Sequence, residues 1–200
     1  MKKIPVLLIL IWFCSCEDSN LCTETIKGKP DYDLIGKSDY DTVKSLFSTN
    51  NLSLDNFWVY CLQKDDLGHR HVRCQQYANN LQVFSDEVIF HFNSQNQYYF
   101  LSGEIIPGID ISSDPRMSKI EVMKLFFDIV DEDGHFSSDN FKNDCLQCEI
   151  GYYDLNAGTG NSTHNFKLAW RIQREDYDFP YAYINDTEKS KIYYDNGIRY

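Results

Sequence analysis

The chain has 200 residues, with 19 Lys and Arg against 30 Asp and Glu, and a formal net charge of −11. That balance excludes nucleic acid as a partner, because recognition of a phosphate backbone draws on a cationic surface. Aromatic residues make up 15% of the chain, which excludes a disordered polypeptide and supplies apolar surface for one substantial core or two small subdomains.

The chain opens MKKIPVLLILIWFCSC, where Lys2 and Lys3 precede an apolar run from Ile4 to Phe13. The run is shorter than the roughly 20 residues that span a bilayer, so it reads as a secretory signal and not as a membrane span. Its end resembles a bacterial lipoprotein lipobox, with Ser15 ahead of Cys16, the cysteine that such processing would acylate. Bulky Phe13 makes Cys14 the weaker choice, and ordinary signal-peptidase cleavage near Ser15 is the alternative. Glu17 and Asp18 look like the acidic start that carries some Bacteroidota lipoproteins to the outer face of the outer membrane. Residues 1–15 are thus expected to be a lipoprotein signal peptide, whose removal leaves 17 basic and 30 acidic side chains. Residues 16–37 are polar and aperiodic, as suits a tether.

After Ser38, Tyr40, Val43, Leu46 and Phe47 recur at helical spacing. FWVYCLQ at 57–63 and HVRCQQY at 71–77 read as strands joined through KDDLGHRH. A hairpin turning at Asp66 to His69 sets Cys61 directly opposite Cys74, close enough for a disulfide that would stabilise the fold by roughly 3 kcal/mol in the chain-entropy model. An exported chain meets an oxidising compartment where such a bond persists. YANN is a turn, and in EVIFHF the apolar Val88, Phe90 and Phe92 alternate with Glu87, Ile89 and His91. NSQNQ turns again, YYFLSGEII is a further strand, and PGIDISSDPR is a loop carrying two prolines.

Ser118 and Glu121 then form a capping box, and Val122, Leu125, Phe126, Ile129 and Val130 fall on one stripe of a helix ending near Asp131. DEDGHFSSDN superficially resembles an EF-hand loop, but with Gly134 at the obligatory glycine, Ile129 occupies the first ligand position and Asn140 the place of the bidentate Glu. It is not a calcium site. Cys145 and Cys148 form a CxxC that could serve redox chemistry or half a zinc site. Without a second CxxC or a His pair at ligand spacing, it reads as a local structural disulfide. Strands follow at about 148–155, 166–174, 181–184 and 191–194.

GHRHVRCQQYANNLQVFSDEVIFHF carries a family resemblance. It is similar to the core of the fungalysin/thermolysin propeptide (FTP) domain, approximately G-x-x-H-V-R-x-Q-Q-x-x-x-x-x-x-V-x-x-x-E-V-I-x-H. Gly68, His71, Val72, Arg73, Gln75, Gln76, Val83, Glu87, Val88, Ile89 and His91 fall in place, and LSGEIIPGID looks like the strand and proline loop that follow. From Ser118 onward, the capped helix, FKLAWRIQ and PYAYINDTEKSKIYYDN are similar to the adjoining PepSY domain, although Lys189 stands roughly where that family's closing turn has Gly. The resemblance implies an α+β fold of two successive helix-plus-antiparallel-sheet units, FTP-like over 38–116 and PepSY-like over 117–200, cystatin-like in character.

In that family the two domains precede a zinc metallopeptidase, assist its folding and hold it inactive. No HExxH occurs here, so the helical His pair and the Glu base of such a peptidase are missing. His69 and His71 share a strand face, but two imidazoles leave a zinc site incomplete, and the alternative is a polar sheet face with Arg73 and Gln75. No nucleophile is paired with a base. The expectation is a non-catalytic protein without cofactor or metal, lipid-anchored at the cell envelope, that binds a peptide or a secreted peptidase as a trans-acting inhibitor or chaperone. A structural surface lipoprotein with no specific ligand is the alternative.

Overall fold

The computed structural model describes Lys29, residues 34–141 and residues 144–199, so the signal sequence, Cys16 and nearly all of the tether lie outside the described residues. Helix α1 (Lys37–Thr49) starts behind Gly36, which sits at the N-cap with φ 82°. Ser38 is inside the first turn and no side chain caps this end. Val43, Leu46 and Phe47 form its buried stripe. Phe47 meets the ring of Phe90 at 4.7 Å and that of Phe92 at 5.9 Å, and burying one such ring stabilises by about 1.5–3 kcal/mol.

Strands β1 (Phe57–Lys64), β2 (Arg70–Ala78), β3 (Leu81–Phe92) and β4 (Tyr98–Ser102) follow as antiparallel neighbours. Helix α2 (Lys119–Asp133) carries the expected capping box, with Ser118 accepting from the Glu121 N–H and Glu121 accepting from the Ser118 N–H. It stops two residues beyond Asp131, where Gly134 takes the left-handed C-cap conformation at φ 75°. A short 3₁₀ turn (Ser138–Asn140) leads to strands β5 (Leu146–Asp154), β6 (Phe166–Arg174), β7 (Tyr181–Asn185) and β8 (Ser190–Asp195).

The eight strands form one sheet in the order β1-β2-β3-β5-β6-β7-β8, with β4 also pairing β3. This corrects the expectation of two successive helix-plus-antiparallel-sheet units. The protein is mostly β, with two α-helices among the described residues, and its sheet is mixed. The join is the cause: β3 and β5 run parallel, with Gln82 beside Gly151 and Val83 beside Tyr152. Gly151 permits that approach, since a Cβ there would lie 2.5 Å from the Gln82 carbonyl oxygen and 2.7 Å from the Phe84 ring. β3 is long enough to serve both sides, its second half taking β4 and its first half taking β5.

Both helices lie on one side of this sheet. Val72 and Cys74 belong to the apolar cluster under α1, and Ala78 belongs to the cluster under α2. These residues share parity on β2, and so point the same way. The opposite face carries no helix among the described residues.

The cysteines also depart from expectation. An irregularity between Val59 and Cys61 sets Cys74 opposite Val59 and Cys61 opposite Arg73, which turns Cys61 to the uncovered face while Cys74 stays in the core. Both are free thiols, so the expected Cys61–Cys74 disulfide is absent. Cys148 is likewise a free, buried thiol, and the disulfide that Cys145 carries is therefore not closed within the CxxC. Burial pushes the thiols of Cys74 and Cys148 up to about 12, which keeps both protonated and unreactive.

Candidate functional site

The uncovered face over β1 to β4 gathers the polar residues of the sequence motif. Alternation along β2 sends His71, Arg73 and Gln75 outward, and β3 presents His91 and Glu87 beside them, with His71 opposite His91 and Gln75 opposite Glu87. Arg73 Nη1 donates to Glu87 Oε1 at 3.0 Å and to Oε2 at 3.2 Å. The Tyr60 hydroxyl donates to the same carboxylate. The Nδ1 atoms of His71 and His91 are 2.7 Å apart, so one ring donates a proton that the other accepts. His91 Nε2 reaches Ser102 Oγ at 2.9 Å, and His71 Nε2 lies 3.5 Å from Asp65 Oδ2. Burial, then the charges of His71 and Arg73, hold His91 below the ordinary imidazole range. Asp65 is held below the usual carboxylate range: burial pushes it up, and the His69 N–H and the His71 ring outweigh that.

Gly68 and Gln76 are structural, and outward-facing Gln75 is tied to the backbone. Gly68 has φ 83° in the β1–β2 turn, where its N–H donates to the Asp65 carbonyl. Gln75 donates to the Val83 carbonyl across the irregular stretch of β3. Gln76 points to the opposite, buried side, where its amide donates to the Ile106 carbonyl and accepts from the Ile106 N–H. That pairing fastens the chain after β4 to the sheet. The motif thus divides into an outward set (His71, Arg73, Gln75, Glu87, His91) and a scaffold set (Gly68, Gln76).

Beside the polar set runs the outer edge of β4, which pairs with no further strand among the described residues, though the Tyr98 N–H donates to Asn50 Oδ1 at 2.8 Å. Tyr99 and Phe100 are 53% and 55% exposed, their rings touch His69 and His91 on the outer face, and the strand carries no charge over Tyr98–Ser102. Natural edge strands are commonly shielded by charge, proline or a covering element. This one is short and has an extra residue at Tyr99, but its exposed side chains are aromatic and uncharged, which suits it to adding a partner strand.

The same face continues over β5 to β8 with a different chemistry. Phe84, Tyr153, Tyr183, Tyr181 and Tyr193 make a continuous chain of ring contacts with centroids 4.8 to 5.9 Å apart. Glu149 and Arg171 lie opposite each other among them. Burial raises the Glu149 carboxyl, with Arg171 opposing at 3.9 Å.

Sequence reading named the motif residues and missed Tyr60, Asp65, Ser102 and the tyrosine chain. It also left His91 apart from His71, because a regular two-residue hairpin at Asn79–Asn80 would set Val88 opposite His71. Extra residues of β3 inserted between the Gln75 and Tyr77 pairings shift the register and bring His91 there instead. Among the described residues no group of three or more His, Cys, Asp or Glu side chains is placed to hold a metal ion.

The outward set sits inside a recognisable segment. Residues 62–105 match the Fungalysin/Thermolysin Propeptide Motif. The match runs from the end of β1 to two residues past Gly103, and so takes in the His71–His91 pair, the Arg73–Glu87 pair and the whole of β4. A propeptide motif is a regulatory, non-catalytic module. The comparison with curated proteins gives no match.

Proposed function

We propose that the chain is a non-catalytic binding protein of the cell envelope that holds a secreted metallopeptidase, or an extended peptide derived from one, as an inhibitor or folding assistant acting in trans. The observation that carries this reading is the coincidence of the propeptide motif with the uncovered polar face and the outer edge of β4. An extended segment of the partner adds beside Tyr98–Ser102 through backbone hydrogen bonds, while Tyr99, Phe100 and the histidine pair receive its outward side chains. Residues 117–200, read as PepSY-like, extend the same face. Acylation of Cys16 places the protein in the envelope, at the outer membrane of a Gram-negative cell.

Protein lacking residues 1–16, immobilised and exposed to envelope extracts, is expected to retain a thermolysin-type metallopeptidase and to reduce its activity. Tyr99→Lys together with Phe100→Lys, both on exposed positions, is expected to lose that retention. Recovery of no peptidase by the unaltered protein overturns the reading. Cys16→Ala is expected to release the protein from the membrane fraction, and unchanged retention there overturns the lipid anchor.

A further inference from the structure

A second histidine cluster, in which every residue but Glu104 lies outside the matched segment, joins two parts of the chain that are far apart in sequence. Asp154 ends β5 and is 3% exposed. Its Oδ1 accepts from the N–H of Asn156 at 2.9 Å and of Asn165 at 2.8 Å, which pins both ends of the loop between β5 and β6. Its Oδ2 lies 2.8 Å from His164 Nδ1. The other ring nitrogen, Nε2, lies 3.2 Å from Oε1 of Glu104, in the segment just after β4. Phe166 of β6 stacks on the ring at 5.1 Å and 24°.

The charged groups facing His164 are Asp154 from β5 and Glu104 from the segment after β4. Both are acceptors when ionised. Asp154 is held below the usual carboxylate range: burial raises it, and the Asn165 N–H with His164 and the Asn156 N–H outweigh that. A neutral imidazole has a single N–H and can serve one carboxylate only, leaving a lone pair against the other. Both contacts are hydrogen bonds only when the ring is an imidazolium.

We propose that His164 is an acid-closed latch: protonated, it ties Glu104 and the chain after β4 to the β5–β6 loop, and neutral, it keeps buried Asp154 and releases Glu104 to solvent. The local field agrees in sign. The Asp154 hydrogen bond is the largest influence and raises His164; burial comes next and lowers it, and Glu104 then adds to the rise, so that the ring is held above the ordinary imidazole range. Glu104 has an exposed side chain, at 66%, and lines a cleft of about 300 Å³ together with Asp154, Asn156, Gly158, Asn161 and His164. Opening the latch frees one wall of that cleft. Gly103, whose Cβ would meet the Glu87 carbonyl oxygen at 2.1 Å, keeps the chain just before Glu104 tight on β3, and the Gln76 amide holds Ile106 just after it, so the freedom gained is that of the Glu104 side chain and of the β5–β6 loop it had tied.

The test is a histidine titration by NMR combined with amide hydrogen exchange over residues 155–165, corrected for the intrinsic pH dependence of exchange. Wild type is expected to show slower loop exchange at pH 5.5 than at pH 8.5, by about two- to fivefold for a pair of this exposure. Glu104→Gln, at an exposed position, is expected to lower the His164 midpoint and remove most of that difference, and His164→Gln to remove it fully. An unchanged His164 midpoint in Glu104→Gln, or equal corrected exchange at both pH values in wild type, overturns the proposal.

Discussion

His71–His91 and His164 place the same side chain under opposite electrostatic rules. In the first, two imidazoles share one proton at 2.7 Å with Arg73 nearby, so a second proton brings like charges together. In the second, one imidazole stands between two carboxylates, so a second proton completes the site. Acid therefore strains the region that carries the propeptide motif and tightens the region beside it. Composition alone, with five histidines in the chain, says nothing of the sign. The sign comes from which strand lies across from each histidine.

The largest effect is expected from cutting the join between the two regions. Gly151→Ala would drive a methyl group into the Gln82 carbonyl and the Phe84 ring, and a β-sheet backbone has little room to yield. The cost is expected near the upper end for overpacking, about 3 kcal/mol. If the parallel pairing of β3 and β5 holds the two regions as one cooperative unit, the variant should melt in two steps where wild type melts in one. An unchanged melting curve would show that β3 and β5 do not meet as described.

A smaller effect separates the histidine sites by pH. The pKa of His91 is depressed in the folded state, so its contribution is present above the unfolded value near 6.5 and is lost as pH falls through that value toward the folded one. That of His164 is raised, so its contribution is present below the unfolded value and is lost as pH rises through the folded one. His91→Phe, which suits a site ringed by Tyr99 and Phe100, is expected to flatten the loss of stability on acidification below pH 6.5. His164→Gln is expected to flatten the loss on the alkaline side of pH 6.5. Denaturant titrations at pH 5.5, 6.5 and 8 distinguish them, and the same pH response in both variants would erase the contrast.

Much of this arrangement was legible in the sequence where local rules decide it. The capping box at Ser118 and Glu121, the stripe of α2 and the alternation of Val88, Phe90 and Phe92 are each set by neighbours a few residues away, and each is in place. Pairings over longer separations were not legible. The extra residue near Tyr60 shifts Cys61 away from Cys74, and the insertion in β3 carries His91 to His71. Neither irregularity has a Gly or Pro to announce it. Two helix-plus-strand patterns in succession suggested two separate sheets. Their fusion depends on two residue pairs, Gln82 with Gly151 and Val83 with Tyr152, which no periodicity reveals. The uncovered face follows from parity once the register is known, and so the candidate site inherited both the successes and the failures of the strand pairing.

The smallest expected effect is the most specific to the contrast. Arg73 reaches Glu87 at 3.0 Å with both side chains more than a third exposed, so Arg73→Gln should cost only about 0.2–1 kcal/mol of stability. Its larger consequence is electrostatic. Burial and His71 act on His91 before Arg73 does, and all three depress it, so removing the guanidinium should let the His91 midpoint rise while burial and His71 still keep it below that of an exposed imidazole. His164, whose own charged neighbours are Asp154 and Glu104, should titrate unchanged. NMR titration of both rings in one sample reads the two responses side by side. A shift shared by His91 and His164 would mean that the histidines respond to the net charge of the acidic chain, and that the strand across from each one does not set its sign.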